Sequence, residues 1–391
     1  MKVGIASCYY HHNYGSMLQA YATQKIIQNL GHEVVTIQCN APVTYMQQSK
    51  ITYLFHKITN PDILRRKIRE YSSKQRLNRY PQIKNNIELR NQKFEEFFHK
   101  HIRLSKLCRN RSELESLAGT LDAVVVGSDM LWHPVNVEHD YFTLTFVPDN
   151  VKKISYATSF GTTEIPRYQR EKYRKYLSRF SAVSVREQSG ISVIERLDVK
   201  KDVHVVLDPT LLFTGKEWLN IQDEEPLIKE KYIFCYFLGV NQEHRRFARQ
   251  LKEITGYKIA ALQHLDEFVK DDIGFADDSL YDAGPSEFIN LIRNAEYVCT
   301  DSFHGTCFSI LNHKKFFTFN RFKNTNSQST NTRIDSLLAM TGLEERRVDA
   351  GMSPEDMEKY AKVNIEYDMV DNRLLDERKK SIAFLRKALE A

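Results

Sequence analysis

Long apolar runs, low-complexity tracts and paired cysteines are all missing from this chain. No hydrophobic stretch reaches the roughly 18–20 residues that a bilayer crossing requires. The opening Met1-Lys-Val-Gly-Ile-Ala-Ser7 is too short and too strand-like for a secretory leader, so a cytoplasmic location is expected. No tract of Pro, Gly or Gln occurs, which argues against a disordered or fibrous chain. The six cysteines (Cys8, Cys39, Cys108, Cys235, Cys299, Cys307) form no CxxC pair and no zinc spacing. Several lie inside apolar runs, where a free thiol behaves as a small hydrophobe. Adjacent His11 and His12 have no matching third ligand, and neither a metal nor a cofactor is expected. The sequence also lacks GxGxxG and GxxxxGK(S/T), which sets aside a dinucleotide binder and a P-loop NTPase.

What is present is a globular composition, 42% hydrophobic and 27% charged over 391 residues, long enough for two domains. Charge is unevenly spread. From Lys50 to Arg111 there are 17 Lys or Arg against 5 Asp or Glu, a local balance of +12, whereas the whole chain carries +6. This stretch, a helical insertion over about 44–110, is either a solvated element or a peripheral contact with an anionic membrane at its inner face. Phe94, Phe97, Phe98 and Ile102 recur within it at helical spacing, as a packed amphipathic helix needs. Nucleic acid is not an expected partner, since no aromatic-basic recognition module accompanies the charge.

Short apolar strands alternate with helical patterns along the rest of the chain. Val3–Ala6 is followed by a helix over Ser16–Leu30 that Gly31 ends, then by Val34–Ile37. Further strands are expected at Ala123–Val126, Lys153–Ala157, Ala182–Val185 and Val203–Val206. A second set runs through Tyr232–Leu238, a helix over Gln242–Ile254, Lys258–Leu262, a helix over Pro285–Asn294, Glu296–Thr300, a helix from about His304, and Lys315–Phe319. Such alternation signals parallel sheets covered on both faces. The expected architecture is α/β, with two Rossmann-like domains over 1–215 and 216–345 facing a cleft. C-terminal helices over 346–391 are expected to pack back on the first domain.

The run Ala295–Ile310 carries the strongest functional signal. A strand ends at Thr300, a polar corner holds Asp301 and Ser302, and a small-residue helix begins with His304 and Gly305. Strand C-termini that feed helix N-termini are where open α/β sheets bind ligands. Asn13-Tyr-Gly15 opens the first helix in the same way and suits a phosphate or carboxylate.

Six stretches in order carry a resemblance: Asn13-Tyr-Gly-Ser-Met-Leu-Gln-Ala-Tyr-Ala22, Val125-Val-Gly-Ser-Asp-Met-Leu-Trp132, Ser155-Tyr-Ala-Thr-Ser-Phe-Gly161, Ser184-Val-Arg-Glu187, Leu207-Asp-Pro-Thr210 and Thr300-Asp-Ser-Phe-His-Gly305. Together they resemble the polysaccharide pyruvyl transferase family. The resemblance implies a GT-B-like fold and transfer of a pyruvyl group from phosphoenolpyruvate onto two hydroxyls of one sugar, giving a ketal and phosphate. The implied acceptor is a lipid-linked or nucleotide-linked precursor of a capsular or other cell-envelope polysaccharide.

That chemistry needs a proton for C3 of the donor, and cations or helix N-termini for its carboxylate and phosphate. His304 suits the acid, or a donor to the leaving phosphate, with Asp129 and Asp301 orienting sugar hydroxyls. Arg186, Arg333, Ser302, Gly305, Asn13 and Gly15 are the candidate donor-binding residues. Ser128, Trp132 and Ser159 are the candidates for the acceptor. Structural alternatives stand beside these roles: an ion pair for Arg186, edge packing for Trp132, a capping role for His304, an interdomain turn for Asp208-Pro-Thr210. One departure stands out. Ser302 and Phe303 occupy the positions where the family places Arg-Leu, so the donor anion must be held by Arg186, Arg333 or Lys314, or the donor is different. A glycosyltransferase of the same fold with a nucleotide-sugar donor, and a non-catalytic glycan-binding protein, are the competing readings.

Overall fold

The structure, a computed structural model, describes residues 1–39, 51, 55, 81–222, 224–265, 268–321 and 332–390. Most of the expected basic insertion before residue 81 lies outside the described residues. Those residues divide into two units, one within 1–63, 98–212 and 374–391, the other within 64–97 and 213–373.

The first unit opens with β1 (Lys2–Ala6), α1 (Tyr14–Asn29) and β2 (Glu33–Thr36). Gly31, at φ +88°, ends the first helix in the left-handed region, which suits a residue without a Cβ. α2 (Pro81–His101), which belongs to the second unit as far as Phe97 and to the first from Phe98, is the amphipathic helix expected from the Phe spacing, and Phe94, Phe97, Phe98 and Ile102 are all buried. α3 (Arg111–Ala118), β3 (Ala123–Val126), β4 (Lys152–Ser155), α4 (Arg170–Ser178), β5 (Val183–Val185), α5 (Gln188–Arg196) and β6 (Val203–Val205) follow. Strands pair in the order β2-β1-β3-β4, all parallel, and β5 pairs with β6. All four residues of β3 are buried, as a central strand covered on both faces requires.

β4 stops two residues short of the expected Ala157. That alanine has φ +52°, and a residue in the left-handed region cannot extend a β ladder. Single parallel bridges from Ile154 to Ala182 and from Thr158 to Val185 carry the pairing on toward β5.

The second unit contains β7 (Tyr232–Tyr236), α6 (Gln242–Thr255), β8 (Lys258–Leu262), β9 (Asp278–Leu280), α7 (Pro285–Asn294), β10 (Tyr297–Thr300), α8 (Phe303–Leu311), β11 (Lys315–Thr318), α9 (Thr332–Thr341) and α10 (Pro354–Lys362). Its five-stranded sheet is parallel throughout, in the order β11-β10-β7-β8-β9. α11 (Tyr367–Glu390) closes the chain, and its residues from Leu374 onward belong to the first unit.

In each unit the strand order reverses beside the first strand, between β1 and β3 and between β7 and β10. Ligands of doubly wound sheets bind at such points, beyond the strand C-termini. Both polar clusters described next grow from these two reversals.

Candidate functional site

In the first unit the loop after β3 carries Ser128 and Asp129. Asp129 adopts φ +83°, a strained conformation for a residue with a side chain. Its Oδ2 accepts a 2.6 Å hydrogen bond from Ser16 Oγ, on the first turn of α1, and its Oδ1 accepts from the Met130 N–H. Asn13 caps that helix, its side chain accepting from Ser16 N at 3.1 Å, and Gly15 is buried in the first turn. Arg186, at the end of β5, lies among three carboxylates. Nη1 donates to Asp208 Oδ2 at 2.8 Å, Nη2 to Asp129 Oδ1 at 3.3 Å, and Nε stands 3.8 Å from Glu187 Oε2. Ser128 Oγ donates to Asp208 at 2.7 Å, and Ser159 Oγ donates to Glu187 at 2.7 Å.

Burial alone would lower the Arg186 pKa, but Asp208, Asp129 and Glu187 carry it above the ordinary value. Among the described residues, one guanidinium against these three carboxylates leaves a formal surplus of negative charge. Arg186 therefore compensates buried acids here, and this cluster is poorly suited to a donor that is itself a polyanion. Asp129 is its outlet toward solvent, with a side chain 18% exposed against 0% for Asp208.

Trp132 is fully buried. Its ring packs beside Phe160, Tyr176 and Phe180 and its Nε1 donates to Phe142 O, so it offers no face to a sugar. Ser128 and Ser159 are equally buried, with their hydroxyls engaged by Asp208 and Glu187.

In the second unit Asp301 follows β10 and is fully enclosed. Its carboxylate accepts from the Leu238 and Gly239 N–H groups beyond β7, at 2.7 and 2.9 Å. A Cβ on Gly239 would stand 2.7 Å from Asp301 Oδ2, so glycine is what lets the carboxylate approach that backbone. The donation from Leu238 also explains why β7 ends before that residue. Nearby, His244 Nδ1 lies 3.6 Å from Asp301 Oδ2, and Arg321 donates from Nη2 to the Asp301 carbonyl at 3.4 Å. Burial would raise the Asp301 pKa, yet His244, Arg321 and the Leu238 N–H outweigh it and hold the carboxyl below its usual range.

α8 starts two residues later, at Phe303. Ser302 Oγ accepts from Gly305 N at 3.2 Å, an N-cap role, and no acidic residue occupies the first turn. His304 is the second residue of this helix, buried beside Phe303. Gly305 fits against Thr300, whose Oγ1 would lie 2.5 Å from an added Cβ. Arg333, on α9, places its guanidinium carbon 5.8 Å from the centre of the Phe303 ring. Lys314 stands at the opposite, N-terminal end of β11, with its Nζ bonded to Ala295 O. Of the three cations weighed for the donor anion, Arg333 is the one brought to the turn that carries His304.

Sequence reasoning missed Ser16, Glu187, His244 and Arg321. Ser16, His244 and Arg321 are ordinary polar residues that only the strand order brings to their acids, whereas Glu187 is an acid beside Arg186 in the chain whose engagement shows only in its contact with Ser159.

Several known proteins share features with this chain. The UDP-GlcNAc 2-epimerase from Methanocaldococcus jannaschii overlays with a TM-score of 0.51 at 12% identity, covering 94% of this chain and 93% of that one. A Listeria monocytogenes protein assigned as a UDP-N-acetylglucosamine 2-epimerase gives 0.50 at 11% identity, over 99% and 90%. At these identities the likeness is one of fold, the α/β fold of GT-B-type enzymes. An Arabidopsis thaliana protein assigned as the E3 ubiquitin-protein ligase ARI6 is 24% identical over 135 residues; the match spans 33% of this chain and only 23% of that protein. A model of the polysaccharide pyruvyl transferase family matches residues 13–323, a span that runs from the Asn13 cap through the Asp129 and Asp301 corners to β11 and beyond. With most of its length accounted for in this way, the chain belongs to the polysaccharide pyruvyl transferase family.

Proposed function

We propose that the protein transfers a pyruvyl group from phosphoenolpyruvate to two hydroxyls of a sugar in a cell-envelope polysaccharide precursor, forming a ketal and releasing phosphate. The observation that carries this reading is the α8 turn. A buried histidine heads a helix whose first turn holds no acid, with Arg333 over the neighbouring Phe303. A helix N-terminus and a guanidinium are what a donor bearing a carboxylate and a phosphate requires.

In the proposed reaction one sugar hydroxyl adds to C2 of the donor while His304 protonates C3, and the proton that hydroxyl loses restores the imidazolium. The C2–O bond to phosphate then breaks, and the second hydroxyl captures the resulting cation, its proton passing to the released phosphate. Ser302 and Gly305 act through the backbone, by capping and by close packing, and Asp301 fixes the corner. The protein is proposed to work in the cytoplasm. Among the described residues no helix is long and apolar enough to cross a membrane.

The deciding experiment incubates the protein with phosphoenolpyruvate and a pool of lipid-linked and nucleotide-linked sugars. Phosphate release together with an acceptor mass gain equal to a pyruvate ketal supports the reading. Turnover of a nucleotide sugar without phosphate release from phosphoenolpyruvate overturns it.

A further inference from the structure

The second unit also contains a cavity of about 530 Å³, lined by Asn241, His244, Phe319, Arg321, Arg347 and Asp349 among others. This size lies within the range of small-molecule sites, roughly 300–1,000 Å³. Its residues come from the start of α6, the loop after β11 and the segment that bridges to Thr318 through Arg347.

His244 is the best-fixed of them. It is the third residue of α6 and only 2% exposed, and its ring stacks on Phe319 with centroids 4.6 Å apart. Asn241 Nδ2 lies 3.3 Å from His244 Nε2, and His244 Nδ1 lies 3.6 Å from Asp301 Oδ2. The Nε2 contact with Asn241 is long enough for a ligand hydroxyl to displace, and a hydroxyl can meet the ring nitrogen as donor or as acceptor. A buried carboxylate behind a histidine is an arrangement suited to binding an O–H group through the outer ring nitrogen.

Charge decides the ligand class. Arg321 and Arg347 supply two guanidinium groups, but Arg347 Nη2 already donates to Asp335 at 2.6 Å, and Arg321 lies against Asp301. Glu243 and Asp349 add two carboxylates to the wall. Glu243 pairs with Arg246, and Asp349 accepts from the Gly351 N–H at 2.8 Å. Among the described lining residues two carboxylates match two guanidinium groups, which leaves no surplus of positive charge to favour a phosphate. A neutral polyhydroxyl ligand fits better, because each hydroxyl can donate to a carboxylate and accept from a guanidinium or amide at once.

We infer that this cavity is a glycan subsite, built by the second unit alone, in which a sugar hydroxyl hydrogen-bonds His244 Nε2 and neighbouring hydroxyls meet Arg321, Arg347 and Asp349. The inference rests on the proposed function only for its relevance to a polysaccharide acceptor. The binding itself requires neither donor nor turnover.

The test uses the full chain labelled with ¹⁵N-histidine, titrated with the methyl glycosides of glucose, galactose, mannose and N-acetylglucosamine, and separately with inorganic phosphate and phosphoenolpyruvate. The expected result is a saturable shift of the His244 Nε2 resonance with at least one glycoside and none with phosphate. Asn241→Ser keeps a residue able to cap α6 but removes the amide, and should change the glycoside affinity at least about fivefold, about 1 kcal/mol at RT ≈ 0.59 kcal/mol. His244→Gln, checked for native circular dichroism, should abolish saturable glycoside binding measured by calorimetry. A His244 resonance that ignores every glycoside, or that responds to phosphate or phosphoenolpyruvate alone, overturns the inference. Glycoside binding without any pyruvyl transfer would leave it standing while removing the proposed reaction.

Discussion

Arg186 Nη1 meets Asp208 Oδ2 at 2.8 Å, and both side chains are almost entirely shielded from water. The pair joins the end of β5 to the loop after β6, and the same guanidinium reaches Asp129 from the loop after β3. A buried ion pair of this kind is costly to break, because the surviving charge stays in a poorly solvated place.

Arg186→Met should therefore destabilise the first unit by about 3–5 kcal/mol, as measured by urea unfolding. The variant leaves Asp208, Asp129 and Glu187 without their shared cation. Stability within about 1 kcal/mol of the parent would contradict the compensating role.

Asp301 gives a pH signature. Its folded-state pKa is depressed, so as pH rises the folded protein releases this proton before the unfolded chain does. The resulting stabilisation is complete above the ordinary Asp value of about 3.9 and disappears as pH falls through the depressed folded value. Asp301→Asn should flatten that part of the stability curve. Unfolding midpoints taken across the acid range for both proteins check it, and parallel curves would show that Asp301 contributes nothing.

His304→Ala should lower phosphate release from phosphoenolpyruvate at least about 100-fold, the lower end of general-acid effects. Far-UV circular dichroism should stay native. Unchanged turnover would reduce His304 to a buried member of the α8 turn.

Gly305→Ala should cost about 1–3 kcal/mol, as overpacking does in well-filled interiors. The added Cβ would meet Thr300 Oγ1 at 2.5 Å, and that hydroxyl is held in place by its 2.6 Å hydrogen bond to Tyr236 O. Combining it with Thr300→Ala removes the obstructing hydroxyl and should recover part of the loss. Thermal unfolding of the single and double variants shows whether the recovery occurs.

The strand–helix alternation was legible because β3, β7 and β10 are short, apolar and bounded by polar corners. β9 (Asp278–Leu280) escaped because an edge strand of three half-buried residues leaves no hydrophobic pattern to detect. The corner at Asp301 and His304 could be found, since one continuous segment holds it. Its partners could not: His244 lies 57 positions before Asp301, and only the β7–β10 pairing brings them together. Arg186 illustrates the same limit. A basic residue at a strand end suggests an anionic ligand, yet here the anions are Asp129, Glu187 and Asp208 of the chain itself. For Trp132 the sequence left sugar stacking and core packing open, and the surrounding Phe160, Tyr176 and Phe180 assign it to the core.

All six cysteines are buried and outside any disulfide, and they divide evenly, with Cys8, Cys39 and Cys108 in one unit and Cys235, Cys299 and Cys307 in the other. A thiol reagent can therefore reach them only when the surrounding structure opens. The chain carries, in effect, two matched sets of built-in clocks: the labelling rate of each set reports the opening free energy of its own unit. Because Cys235 and Cys299 stand opposite each other in the β7–β10 register, their labelling times the parting of the two strands beneath the Asp301 corner.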